Sequence, residues 1–188
     1  MTPLKVLAAS LAGLLLVPVL FIAGITGSFG AARTSAPSSG IEAIGFSDRA
    51  QLQRAVLTDP AIHLTGPARY DVESGRVDPR ILAVLLVLAR AFDLGPVGPL
   101  ITGHTYFVKG TTRVSNHVFG RAVDILGVDG SPVSPANEAA RELMQQTLSL
   151  SAPLLPDEVG GPWIVHVGPL TSFTDANHQD HVHIGYDR

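Results

Sequence analysis

The feature that most constrains this chain is the run from Val6 to Ile25, which contains no charged residue. As a helix rising about 1.5 Å per residue, it could cross about 30 Å of hydrocarbon. Lys5 and the amino terminus supply a positive flank. Two readings follow. The run is either an uncleaved membrane anchor or a signal peptide cleaved near Gly30-Ala31-Ala32, where small residues cluster. Its length favours the anchor. Both readings put the remainder of the chain outside the cytoplasm. Residues 1–30 are therefore expected to be the anchor or signal segment, residues 31–45 a flexible tether containing Thr34-Ser-Ala-Pro-Ser-Ser-Gly40, and residues 46–188 one folded domain.

Composition narrows the function classes. Apolar residues make up 46% and charged residues 15%, too apolar and too weakly charged for a disordered chain. The net charge of −3 offers no basic field for nucleic acid. The absence of Cys removes disulfide scaffolds, thiolate zinc sites and thiol catalysis.

Within the domain, Asp78 and Pro79 form a helix start, and Arg80 to Phe92 is apolar nearly all round, which predicts a central buried helix. Asp93 to Pro99 is expected to end it. Leu100 to Val108, Arg121 to Val128, Pro162 to Val167 and His181 to Tyr186 read as strands. Ser134-Pro135 is expected to open a second helix reaching about Leu150, and Ser151 to Gly161 to be loop. The irregular alternation with short connections predicts an α+β fold: a small antiparallel sheet with helices packed on it and a metal site on the sheet.

Two constellations carry chemistry. In Ser115-Asn-His-Val-Phe-Gly-Arg-Ala-Val-Asp124, His117 and Asp124 stand seven apart with Gly120 between them, and a turn at the glycine lets the two converge. In His178-Gln-Asp-His-Val-His183, residues two apart on a strand share a face, so His181 and His183 point one way while Val182, Ile184 and Tyr186 point to the core. Two His and one Asp suit a hydrolytic zinc ion, which takes N and O donors and leaves one position for water.

These motifs resemble the zinc peptidases that include lysostaphin, D-Ala-D-Ala carboxypeptidases and the hedgehog signalling domain. Ser115 to Asp124 fits the Ser-x-His-x-x-Gly-x-Ala-x-Asp motif of the carboxypeptidases, and His178, His181 and His183 fit the His-x-x-His-x-His ending of penicillin-insensitive murein endopeptidases. The likeness runs from about Asp78 to Tyr186. It implies a Zn2+ cofactor held by His117, Asp124 and His183, with His181 as the neighbouring imidazole and His178 in support. It also implies hydrolysis of amide bonds in peptidoglycan peptides by an extracytoplasmic domain. The alternative is a non-catalytic zinc-containing module that binds wall peptide or a protein partner.

The chain departs from that pattern in two places. The carboxypeptidases have Glu three before the last ligand, where this chain has Asp180; strand parity favours His181 over Asp180 as the base. They also have an Arg in a turn before the first motif, where this chain reads Ile101-Thr-Gly-His-Thr105, leaving His104, Lys109 or Arg113 as substitutes. His63 and His166 are expected to be structural or surface residues, and Trp163 and Phe173 to pack in the core.

Overall fold

The computed structural model describes residues 48–188. The expected anchor and tether lie outside the described residues, and among the described residues no helix is long and apolar enough to cross a membrane.

The domain is α+β. Helix α1 (Arg49–Thr58) starts where the Asp48 carboxylate accepts from the Gln51 amide. Strand β1 (Ile62–Leu64) leads to α2 (Gly66–Glu73), capped by the Thr65 hydroxyl with Pro in its first turn. Helix α3 (Pro79–Leu88) has the expected start: Asp78 accepts from the Arg80 amide at 2.9 Å, and Pro79 occupies the first turn, where no donor is needed. Ile81 to Leu86 and Leu88 are all buried, so α3 is the centre of the core. It stops at Leu88, four residues before the expected end. Turns then carry the chain into β2 (Leu94–Val97).

The position of β2 corrects the expectation of a strand over Leu100–Val108. Gly95, Pro96 and Gly98 read as breakers, yet in this sheet the glycines are what allow pairing. A Cβ on Gly95 would run into His63 of β1, and one on Gly127 would run into the Gly95 carbonyl. Apart from an isolated bridge between Phe107 and Val114, residues 100–108 are instead turns and bends, and buried Asp71 takes up the Ile101 and Thr102 amides that a sheet would have needed.

A single 3-10 turn (Asn116–Phe119) precedes β3 (Ala122–Ile125), followed by β4 (Gly127–Val128) and β5 (Ser131–Pro132). Helix α4 (Glu138–Leu148) starts later than expected, since Asn137 rather than Ser134 accepts from the Ala140 amide and caps it. Residues expected to be loop contain β6 (Glu158–Gly160). The expected strand over Pro162–Val167 contracts to β7 (His166–Val167), which pairs with β8 (Leu170–Thr171), and β9 (Val182–Gly185) closes the chain.

The main sheet has seven strands in the order β5-β4-β2-β3-β9-β6, with β1 pairing parallel to β2 and the remaining pairs antiparallel. One face carries Val123, Ile125, Val159, Val182 and Ile184 into a core shared with α3 and α4. Tyr186 closes the core, its hydroxyl donating to the Leu154 carbonyl at 2.6 Å. The opposite face of the central pair carries the polar residues.

Candidate metal centre

Each part of the first motif has a local physical role. Ser115 caps the 3-10 turn by accepting from the His117 amide. Gly120 ends the turn at φ +68°, in the left-handed region, and a Cβ there would strike the Arg76 carbonyl. The reversal feeds Ala122 into β3 and puts Asp124 on the face to which His117 points. In the β3–β9 register Asp124 stands directly opposite His183. Sheet alternation then sends both to the polar side while Val123 and Ile184 go to the core.

The three side chains meet. His183 Nδ1 lies 3.0 Å from Asp124 Oδ1 and 3.3 Å from His117 Nε2, and His117 Nε2 lies 3.3 Å from Asp124 Oδ1. Donor atoms about 2.0–2.1 Å from a tetrahedral ion are separated by about 3.3 Å, so the triangle has the size a zinc-type site needs. All three residues are buried.

The tautomers agree with that use. The carbonyl of Leu100 lies 2.8 Å from His117 Nδ1 and can only accept, so Nδ1 carries the proton and Nε2 presents its lone pair. On the far side of the His183 ring, Nε2 faces Glu158 Oε2 at 3.4 Å. Two carboxylates, Asp124 and Glu158, flank the His183 ring. Burial pushes its pKa down, but Asp124 and Glu158 outweigh this and raise it to about 9. Burial likewise pushes Asp124 up, and the two imidazoles override it to hold the carboxyl well below its usual range.

His104 adds a fourth imidazole. Ligand atoms of His104, His117 and Asp124 all lie within 4.8 Å of one another and could hold a metal ion. The His104 ring stacks on His117 with centroids 3.8 Å apart and planes 12° apart, whereas His183 is tilted 55° to His117. His104 Nδ1 faces the Thr105 carbonyl at 2.9 Å. Burial and the neighbouring His117 both lower its pKa, so this ring is neutral. Its loop is anchored from a distance by Asp71, which is fully buried and accepts from the Ile101 and Thr102 amides, the Thr102 hydroxyl and Arg76.

The remaining candidate residues surround an open cleft of about 930 Å³. His181 precedes β9 instead of lying within it, so the strand argument for its direction does not apply. Its Nε2 nevertheless lies 3.7 Å from Asp124 Oδ1, on the expected side. Asp180 is exposed and pairs with His181 Nδ1 at 2.9 Å. His178 Nδ1 pairs with Asp175 at 2.8 Å, and its ring meets Phe173 edge-on at 4.7 Å. Phe173, expected in the core, is 37% exposed and lines the cleft; Trp163 packs against the core as expected. Of the substitutes for the missing Arg, His104, Lys109 and Arg113 all border the cleft. Arg113 Nη1 is engaged by Glu158 Oε1 at 2.5 Å. His63 pairs with Asp93 on the surface, and His166 is exposed in β7, away from the cleft lining.

Two residues of the site were not singled out from the sequence. Glu158 sat in a segment read as loop, where a carboxylate beside a short apolar pair gave only a weak strand signal. Asp71 gave no signal, because the amides through which it holds the loop lie about thirty residues away.

No family model, curated protein or solved structure matches this chain.

Proposed function

We propose that the domain is a zinc-dependent peptidase that hydrolyses amide bonds in cell-wall peptidoglycan, working outside the cytoplasm from a membrane tether or after secretion. The observation that carries this reading is the near-equilateral triangle of His117 Nε2, Asp124 Oδ1 and His183 Nδ1, which opens into a cleft beside a further imidazole. The motif resemblance supplies the substrate class.

His183 is assigned as the third ligand in preference to His104. A ring nitrogen's lone pair lies in the plane of its ring. Nearly parallel as they stand, the His104 and His117 rings would have to turn before both aimed at one point, whereas rings tilted by 55° can converge in place. Bound here, zinc would polarise a carbonyl and make water acidic near neutral pH. The chain's own groups would handle the protons. Asp180 accepts from His181 Nδ1–H, leaving Nε2 free to take a proton from the attacking water and return it to the departing amine. Asp180 thereby serves as a positioning residue, and its exposure suits that role better than the role of base. His178, held by Asp175, packs beside His181 with ring centroids 5.0 Å apart.

One observation favours the binding-module alternative. The Arg113 fork is partly committed to Glu158, which weakens its claim to the place of the missing Arg. Digestion of purified muropeptides separates the readings. The peptidase reading expects new amino groups with zinc, lost on chelation; zinc uptake and muropeptide binding without cleavage would leave only the module.

A further inference from the structure

Glu158 has no part in the chemistry above, yet three side chains converge on its carboxylate. Its Oε1 receives Arg113 Nη1 at 2.5 Å, and its Oε2 receives Asn116 Nδ2 at 3.1 Å. The same Oε2 faces His183 Nε2 at 3.4 Å. A carboxylate offers all three of these partners an acceptor.

We infer that Glu158 is a positioning residue that fixes which nitrogen of His183 faces the metal. This rests on the zinc reading above. A neutral imidazole has one proton and one lone pair. With a carboxylate oxygen against Nε2 as acceptor, the proton stays there and the lone pair stays on Nδ1, the atom that meets Asp124 and His117. Glu158 does for His183 what the Leu100 carbonyl does for His117.

A second observation points to the same contact. Glu158 stands opposite Gly185 in the β6–β9 register. A Cβ on Gly185 would lie 2.9 Å from Glu158 Oε2 and 3.0 Å from His183 Nε2, in the path between them. The glycine leaves the gap in which carboxylate and ring meet. Its own φ is not in the left-handed region, so backbone conformation does not require it.

The test uses the full chain with histidine labelled by ¹⁵N and zinc as the only added ligand. Zinc affinity is read by chelator competition and the His183 tautomer by long-range ¹H–¹⁵N correlation. In the zinc-loaded wild type, His183 is expected to carry its proton on Nε2. Glu158→Ala should weaken zinc roughly 10–100-fold, the range for loss of an outer-shell partner. Glu158→Gln keeps one carbonyl oxygen, which can serve His183 or Arg113 but not both, and should fall between. Gly185→Ala should weaken zinc in the same direction with the carboxylate still present. Wild-type zinc affinity in both Glu158→Gln and Gly185→Ala, or zinc bound through His183 Nε2, overturns the inference while sparing the metal centre. A wild-type chain that takes up no zinc overturns both. Should Glu158→Ala fail to fold, the other two variants decide.

Discussion

At the residue scale, the proposed zinc reading separates groups that would hold an ion from groups that would only stand beside it. His117→Ala, Asp124→Ala and His183→Ala should each strip most zinc from the dialysed protein, because three protein donors leave no spare. His63→Ala should retain it. His104→Ala is the informative contrast. If the stacked ring is not a ligand, metal content stays at the wild-type level; near-complete loss would make His104 the third donor and displace His183. His181→Ala should keep its zinc and lose peptidase activity by about 10²–10⁴-fold, the usual cost of a missing proton carrier. Asp180→Asn, which leaves His181 in place, should lose less. A dead Asp180→Asn beside a nearly normal His181→Ala would reverse the two roles. Motif spacing and strand parity, which are local properties, marked His117, Asp124 and the His181/His183 pair as candidates for one site; the resemblance, not the spacing, singled out His183 within that pair. Glu158 was not legible, since its meaning comes from a neighbouring strand whose pairing the sequence does not state.

At the element scale, α3 depends on its start. Asp78 accepts from the Arg80 amide and pairs with the Arg80 guanidinium, whose carbon lies 4.5 Å from the Tyr186 ring centroid. Asp78→Ala should cost about 1 kcal/mol through loss of the cap. Burial alone would raise the Asp78 pKa, but the Arg80 hydrogen bonds outweigh it and hold the group below its ordinary value. A depressed folded pKa means the contribution is complete above the unfolded value of about 3.9 and is lost as pH falls through the folded value. Acid titration of unfolding free energy should therefore lose less stability in Asp78→Asn than in wild type below about pH 4. An equal loss in both would remove Asp78 from the acid response. Gly120→Ala should destabilise the domain and blur the His117–Asp124 juxtaposition, since φ +68° and the Arg76 carbonyl both exclude a Cβ. The start of α3 was readable because caps act within a few residues. The location of β2 was not: Gly and Pro usually interrupt strands, and only the close approach of β1 and β4 turns those glycines into a requirement.

For the whole molecule, residues 41–188 should fold without the N-terminal segment, because the described residues form among themselves a continuous core and the candidate centre. A cooperative thermal transition of that fragment is the expected result; an aggregated or molten product would move the boundary. Zinc should stabilise it by mass action, about 4 kcal/mol at a thousandfold excess over Kd, and chelation should return the midpoint to the metal-free value. The sequence by itself determined the buried helix, the α+β class, the turn that projects His117 and the alternation that separates His183 from Ile184. The class follows from the irregular order of elements along the chain, and the others from apolar patterning, capping or backbone freedom within a few residues. Only the tertiary structure decided that Asp124 stands opposite His183, that His104 stacks on His117, that Asp71 anchors the loop beneath them and that Glu158 backs the last imidazole. Those are contacts between segments up to 59 residues apart. Their formation depends on which strands pair and in what register, and that is settled by burying one shared core face rather than by any local preference.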